Sequence, residues 1–129
     1  MTVLLDTHAL LWWLNGRDRL GVSAKSTIEN PSNTVLVSPV SAWEITTKYR
    51  IGKLPEVALI VENLAAVIAA EGFATLPISL LHAHRAGLLP GEHRDPFDRM
   101  LIAQALTENI PLATNELMFE QFGVRRVWS

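Results

Sequence analysis

The sequence predicts a three-layer α/β/α fold with a central parallel sheet. Short, unbroken apolar runs alternate along the chain with stretches of helical periodicity, which is the pattern of strands joined by crossover helices. The chain has 129 residues, of which 49% are hydrophobic, so it is long enough and apolar enough to bury the core of one domain. No repeat, low-complexity tract or linker interrupts it, and we therefore expect a single domain over residues 1–129.

The first half of the chain carries two strands and the helices that follow them. The first strand is a short apolar run, the second is rich in β-branched residues, and Ser38 followed by proline is typical of a helix N-terminus. The predicted elements, in chain order, are a strand at 3–5, helices at 7–15 and 23–30, a strand at 34–37 and a helix from 39 to about 51.

The second half continues the alternation with shorter strands. Its first helix, predicted over 57–70, is apolar on nearly every face, so we expect it to be covered on both sides. The remaining predicted elements are a strand at 74–76, a helix at 79–89 ended by Pro90-Gly91, a helix at 95–109, a strand at 112–113, a short helix at 116–122 and a strand at 126–128.

Composition excludes several classes of protein. Without cysteine there is no disulfide scaffold, thiolate zinc site or cysteine nucleophile. A net charge of −2 argues against a broad basic surface but leaves a local basic groove possible. The N-terminus lacks a basic leader region and no apolar run is long enough to cross a bilayer, so we expect a cytoplasmic protein with no membrane contact.

Four carboxylates are expected at one end of the parallel sheet, because two follow predicted strands and two lie in the first two turns of predicted helices. Ligand sites of parallel α/β folds lie beyond the carboxyl ends of the strands, where the strand order changes direction. The residues concerned are Asp6, Glu44, Asp98 and Glu116.

Each of these acids also has a local alternative. Asp6 is a suitable N-cap for the helix at 7–15, and Ser41 with Glu44 has the spacing of a capping box, although Ser38 provides a better helix start. Asp98 is favoured by the dipole of a helix that Asp95 caps, and Glu116 is a plausible first-turn glutamate.

Taken together, the four acids indicate a cation site. Like charges gathered in a small pocket destabilise a fold unless a cation neutralises them. Oxygen ligands without cysteine or histidine suit a hard divalent ion, so the sequence predicts Mg²⁺ or Mn²⁺.

The same segments resemble a known family, the PIN-domain nucleases, and among these the VapC toxins of type II toxin–antitoxin modules. They occur in family order and spacing along the whole chain. The segments are Leu4-Leu5-Asp6-Thr7-His8-Ala9-Leu10-Leu11-Trp12, Ser41-Ala42-Trp43-Glu44-Ile45, Asp95-Pro96-Phe97-Asp98-Arg99 with Leu101-Ile102-Ala103-Gln104-Ala105, and Thr114-Asn115-Glu116.

The resemblance implies a metal-dependent endoribonuclease that acts as a toxin, with Asp6, Glu44 and Asp98 as catalytic and metal-binding acids. Glu116 stands where the family usually has aspartate, and its longer side chain would reach the metal through water or serve a second site. Thr114 matches the family's threonine and would orient a water molecule. The alternative is a non-catalytic scaffold of the same fold that binds RNA or protein.

Basic and aromatic residues near the acidic segments suggest contacts with RNA. Arg99, adjacent to Asp98, is the best placed to contact a phosphate, whereas a solvated helix face is the preferred interpretation for Lys48. Trp12, Trp13 and Trp43 could stack on bases, but packing in the core or an interface is favoured.

The predicted partners are an RNA substrate, a small antitoxin and a second copy of the chain. Only 19% of the residues are charged, against ~25% in a typical soluble domain, which suggests that another chain covers part of the surface. Family antitoxins commonly insert a segment, often with an arginine, toward the acidic pocket. The sequence therefore predicts a homodimer that also binds an antitoxin.

Overall fold

A five-stranded, all-parallel sheet forms the centre of the computed structural model, which describes Met1–Ser129. The strands lie in the order β3-β2-β1-β4-β5. Their bounds are β1 Thr2–Leu5, β2 Thr34–Val37, β3 Ala74–Thr75, β4 Leu112–Ala113 and β5 Arg126–Val127. The predicted fold class is confirmed, and every predicted strand is present.

Seven α-helices connect or flank the strands. Their bounds are α1 Thr7–Asn15, α2 Val22–Glu29, α3 Pro39–Arg50, α4 Ala58–Val61, α5 Leu64–Ala70, α6 Leu80–Leu88 and α7 Pro96–Glu108. Short 3₁₀ helices span Arg17–Arg19, Pro55–Val57 and Leu117–Phe122. None of these helices has the length and apolar character that a membrane crossing requires.

Alternate residues of the central strand serve two separate cores, which makes the fold three-layered. Val3 and Leu5 of β1 pack into a core with residues of α1, α2 and α5. Leu4 faces the opposite side and packs with Leu101 and Ile102 of α7. The two-residue period of a strand thus places helices on both faces of the sheet.

The prediction of one continuous helix over 57–70 is wrong, because the structure has two short helices there. A 3₁₀ turn at Pro55–Val57 leads into α4, and Asn63, with φ −121° and ψ 31°, separates α4 from α5. One side of the segment is buried through Val57, whereas Leu59 is 96% exposed. The two polar residues at 62–63 therefore mark a break, because they lie at the solvent-exposed turn between two short helices.

The helix predicted over 116–122 is also different in kind, since Leu117–Phe122 forms a 3₁₀ helix. Phe119 is fully buried in the core, and Met118 and Phe122 pack against it, whereas Leu117 is exposed.

The strand order changes direction at β1, and this determines where the site lies. The chain passes from β1 outward to β2 and β3, then returns to β4 on the other side of β1. The N–H of Asp6 donates a 3.0 Å hydrogen bond to the carbonyl of Ala113, so the ends of β1 and β4 are joined. The crevice that parallel folds use for ligands is therefore bordered by Asp6 and Thr114.

Candidate active site

Asp6 occupies the centre of this crevice. It caps α1, accepting a 2.7 Å hydrogen bond from the N–H of Ala9, and is 4% exposed. Its pKa is raised from 3.8 to about 6, mainly by burial and to a smaller extent by the negative charge of Asp98. Hydrogen bonding to Thr114 and Ala9 acts in the opposite direction and is included in that value. Asp6 is therefore both a helix cap and a buried carboxyl group that faces another acid.

Glu44 lies in α3 and is 3% exposed. The cap of α3 is Ser38, whose hydroxyl accepts a 3.1 Å hydrogen bond from the N–H of Val40, so the capping-box alternative for Glu44 is wrong. One oxygen of Glu44, Oε2, pairs with the ammonium of Lys48. The other oxygen, Oε1, is buried without a hydrogen-bond partner.

Asp98 lies in the first turn of α7, where Asp95 provides the cap. The carboxylate of Asp95 accepts hydrogen bonds from the N–H groups of Phe97 and Asp98, which leaves the side chain of Asp98 available. Its Oδ2 is 2.8 Å from Nε2 of His93. Burial raises the pKa of Asp98, and the charges of Asp95 and Glu44 add to this, against the His93 hydrogen bond.

Electrostatic effects show that three predicted acids share one site. Asp98 raises the pKa of Asp6, and Glu44 raises the pKa of Asp98. These carboxylates come from the end of β1, from α3 and from α7, so residues separated by up to 92 positions meet at one edge of the sheet.

Glu116 is not brought into this cluster. Its backbone N–H donates a 3.0 Å hydrogen bond to the hydroxyl of buried Thr114, but its side chain is exposed and forms no ion pair. Thr114 is buried at the end of β4, and its hydroxyl lowers the pKa of Asp6. The water-orienting role of Thr114 and the metal-binding role of Glu116 both stay predictions.

Arg99 has partners other than the phosphate that the sequence suggested. Its guanidinium donates hydrogen bonds of 2.6–3.4 Å to the carbonyl oxygens of Ala86, Gly87, Leu89 and His93. These contacts join the end of α6 and the loop before α7. Arg99 therefore stabilises the loop that leads into α7, the helix that carries Asp98.

Two basic contacts were not predicted from the sequence. Lys48, interpreted as part of a solvated helix face, pairs with Glu44, and His93 pairs with Asp98. The four-residue spacing of Glu44 and Lys48 in a helix was a usable signal, because such residues are neighbours on the helix surface. The His93 contact had no such signal, since it depends on the loop between α6 and α7.

The tryptophans have three different environments. Trp13 is buried in the core, and Trp12 packs against Trp128 at a ring-centroid distance of 5.6 Å. Trp43, next to Glu44, is 61% exposed. Its ring meets that of Phe97, the neighbour of Asp98, edge to face at 4.9 Å. An aromatic pair, in which Trp43 is exposed and Phe97 partly buried, therefore lies next in sequence to two of the site's acids.

The cluster fits a hard divalent cation in its donor chemistry. No three Asp, Glu or His side chains converge closely enough to hold a metal ion in this structure, in which Lys48 pairs with Glu44 and His93 with Asp98. However, the unpartnered Oε1 of Glu44 is a buried oxygen donor that a cation would satisfy. Asp6, Glu44 and Asp98 are the residues that would hold it.

A comparison with protein families identifies the fold. Residues 3–124 match the family model described as the PIN domain. The chain belongs to the PIN domain family. The acidic cluster at the ends of β1 and β4 is therefore the candidate active site of a PIN domain.

Individual relatives agree with this assignment. The chain is 36% identical over 64 residues to Ribonuclease VapC16 of Mycobacterium tuberculosis, a match that spans 48% of this chain and 43% of that protein. The match thus covers less than half the length of this curated relative.

Solved structures share the whole fold at low sequence identity. VapBC2 of Rickettsia felis, bound to a promoter DNA fragment, has a TM-score of 0.72 at 18% identity and covers 100% of both chains. VapC20 of Mycobacterium tuberculosis, a toxin that cleaves the sarcin–ricin loop, has a TM-score of 0.66 at 17% identity and covers 98% of this chain and 99% of that one.

Proposed function

We propose that this PIN domain is a divalent-metal-dependent endoribonuclease, the toxin of a type II toxin–antitoxin pair that acts on RNA in the cytoplasm. The observation that carries the proposal is the meeting of Asp6, Glu44 and Asp98 at the crevice between β1 and β4. The similarity to a VapC ribonuclease supports RNA as the substrate.

The chain's own residues have distinct roles in this reaction. Asp6, Glu44 and Asp98 would hold Mg²⁺ or Mn²⁺, which when bound supplies Lewis-acid chemistry that activates water and stabilises charge on the leaving 3′-oxygen. The backbone N–H of Ala9 keeps Asp6 oriented through its hydrogen bond, and Thr114 would orient a water molecule. His93 fixes the position of Asp98. In the metal-free chain the pKa of Asp6 is about 6, so below that pH a cation would compete with a proton for this carboxyl group.

A pocket of about 520 Å³ beside His93 offers a path for the substrate strand. Exposed Arg94 lines this pocket and is free of ion pairs, so it is available to a phosphate. Exposed Trp43, next in sequence to Glu44, offers a face to an unpaired base. These features favour single-stranded RNA over a duplex.

An antitoxin and a second copy of the chain are the proposed protein partners. Several similar structures are toxin–antitoxin complexes, among them VapBC-1 of Haemophilus influenzae. Large apolar side chains are exposed in this chain, including Leu59, Leu80 and Leu88. An antitoxin arginine that reaches the cluster would pair with its carboxylates and exclude the metal.

The partner proposals are tested by light scattering of the purified chain and by co-expression with the neighbouring small reading frame. We expect a dimer, a stable complex with the neighbour's product, and slowed growth when the chain is expressed alone. A monomer that ignores the neighbour and does not slow growth would contradict the toxin assignment while leaving a nuclease possible.

The deciding experiment for the activity uses purified chain, assorted RNAs, and either Mg²⁺ or EDTA. We expect cleavage with Mg²⁺ or Mn²⁺ and none with EDTA. Absence of cleavage with every divalent metal, by a folded chain that still binds RNA, would support the alternative, a non-catalytic scaffold of the same fold.

A further inference from the structure

Lys48 is the only lysine or arginine that pairs with an acid of the site. All other ion pairs of the chain involve residues outside the three carboxylates, apart from His93 with Asp98. The ammonium of Lys48 pairs with Oε2 of Glu44, four residues earlier on the same helix, so it is the counter-ion that the chain itself supplies to this carboxylate.

The pair with Lys48 provides a hydrogen-bond partner for only one of the two carboxylate oxygens of Glu44. The carboxylate is 4% exposed, and one of its oxygens has no partner at all. A buried carboxylate without a cation is costly, so an internal ammonium stabilises the chain when no metal is bound. A divalent ion at the same carboxylate would compete with the ammonium, because two cations at one oxygen pair repel each other.

Lys48 is also able to leave. Its side chain is 32% exposed and stands on a flexible four-carbon stem, whereas Glu44 is fixed in the interior. Once displaced from Glu44, the ammonium stays within a helical turn of that residue. The carboxylate of Asp95 already accepts two backbone hydrogen bonds, and the cation would engage Asp98, so a phosphate of the bound strand is the new anion offered to the ammonium.

We propose that Lys48 exchanges partners during the reaction cycle: it is the counter-ion of Glu44 in the metal-free chain, and it becomes a phosphate-binding residue once a divalent cation takes over that carboxylate. This role rests on the proposed nuclease function but concerns a residue to which that function assigns nothing. Lys48 would link metal binding to substrate binding, because the metal ion displaces the Lys48 ammonium from Glu44 and that ammonium then binds an RNA phosphate.

The first test is calorimetric titration of the full chain with Mn²⁺. Removing the competing ammonium in Lys48→Met should tighten Mn²⁺ binding roughly tenfold, a moderate coupling between two ligands of one site. Lys48→Arg should weaken it, because a guanidinium holds a carboxylate through two hydrogen bonds. Lys53→Met, which removes an exposed charge nearby, is the matched control and should resemble the wild type.

The two substitutions are expected to change Mn²⁺ affinity in opposite directions, so the test does not depend on either variant alone. If Lys48→Met does not fold, the comparison of Lys48→Arg with the wild type still applies. Equal Mn²⁺ affinities for the wild type and both Lys48 variants would overturn the exchange, and so would a wild-type chain that binds no Mn²⁺.

The second test measures binding of labelled single-stranded RNA at several salt concentrations, with Ca²⁺ or with EDTA, by anisotropy. With Ca²⁺ the salt slope of Lys48→Met should be smaller than that of the wild type by about 0.7, the value for one lost phosphate contact. With EDTA the two slopes should agree. Equal slopes with Ca²⁺ would overturn the phosphate contact.

Failure of the proposed function has a different signature. If Mn²⁺ affinity falls from Lys48→Met to the wild type to Lys48→Arg but the chain cleaves no RNA, the competition between Lys48 and the metal is supported and the nuclease function is rejected. If the chain cleaves RNA but the Lys48 variants bind Mn²⁺ and RNA like the wild type, the nuclease function is supported and the exchange is rejected.

Discussion

The hydroxyl of Thr7 donates a 3.0 Å hydrogen bond to the hydroxyl of Ser41, and this contact joins the residue after Asp6 to the helical turn before Glu44. Both residues are buried, with exposures of 5% and 0%. Two acids that are distant in sequence are thereby linked through their immediate neighbours. The geometry of the site depends on this link between α1 and α3.

Ser41→Ala should lower the free energy of unfolding by about 1–3 kcal/mol, because it leaves the buried hydroxyl of Thr7 unpaired. The double variant with Thr7→Val should recover part of this loss. Urea denaturation measures both. Ser26→Ala, at an exposed site, is the control, and a loss of the same size there would contradict the explanation.

Asp6→Asn should stabilise the metal-free chain at alkaline pH. The pKa of Asp6 rises from 3.8 to about 6 on folding, so the folded state binds the proton more tightly and stability falls as pH rises through this interval. At ~1.36 kcal/mol per pKa unit, the upper limit of this loss is about 3 kcal/mol. The asparagine cannot ionise and avoids it.

Melting temperatures in EDTA at pH 4 and pH 8 test this. The variant should melt higher than the wild type at pH 8, and the difference should shrink toward pH 4. Asp18→Asn, at an exposed position, should show no such trend. A difference independent of pH would mean that burial does not raise the pKa of Asp6.

Much of the fold was predictable because its signals are local. Ser38 with Pro39 predicted the start of α3, and Asp95 with Pro96 predicted the start of α7. Short, mostly apolar runs predicted the strands. The break at Asn63 was missed because high apolarity on every face was taken as helix continuity. In the structure, one side of that segment, including Leu59, is exposed to solvent.

The grouping of three of the four predicted acids could be predicted from the sequence, whereas most of their contacts could not, and their catalytic role stays a prediction. Asp6, Glu44 and Asp98 follow from the rule that parallel strands gather their carboxyl ends. The partners of Arg99 depend on where the loop between α6 and α7 runs, and no local pattern encodes that path.

Asp98→Asn should lower RNA cleavage much more than Glu116→Gln. Asp98 shares a buried cluster with two other acids, and loss of one group that supports transition-state charge costs about 10²–10³ in kcat. Glu116 is exposed and apart from the cluster, so its effect should be at most roughly fivefold, as expected for a screened surface charge.

Cleavage of labelled RNA under saturating Mg²⁺ measures both variants, with circular dichroism as the check on folding. Equal losses would restore Glu116 as a metal ligand of the working enzyme. Undiminished cleavage by folded Asp98→Asn and Asp6→Asn would remove the site assignment altogether.

Trp43→Ala should weaken binding of single-stranded RNA with little change in stability. The side chain is 61% exposed, so its loss uncovers little core, whereas stacking on one base contributes about 1–3 kcal/mol. Anisotropy with single-stranded RNA and with a duplex of the same sequence measures the effect. Equal weakening for both substrates, or none for either, would contradict stacking on an unpaired base.

Arg99 and Arg94 should separate into a structural and a phosphate-binding arginine. The guanidinium of Arg99 donates to four carbonyl oxygens around the start of α7, so Arg99→Met should lower the free energy of unfolding by about 2–3 kcal/mol. Arg94 is exposed in the pocket beside His93. Arg94→Met should change stability by less than about 0.5 kcal/mol, as is usual for surface positions.

RNA binding should show the opposite order at matched folded concentrations. Arg94→Met should reduce the salt slope by about 0.7, because one phosphate contact to a single strand is lost, whereas Arg99→Met should leave the slope unchanged. The Arg99 contacts are saturated by backbone carbonyls, so a phosphate could engage this guanidinium only by breaking them. A stable Arg99→Met with a reduced slope would therefore show that these carbonyl contacts open when RNA binds, and would return Arg99 to the phosphate-contact role that its sequence position first suggested.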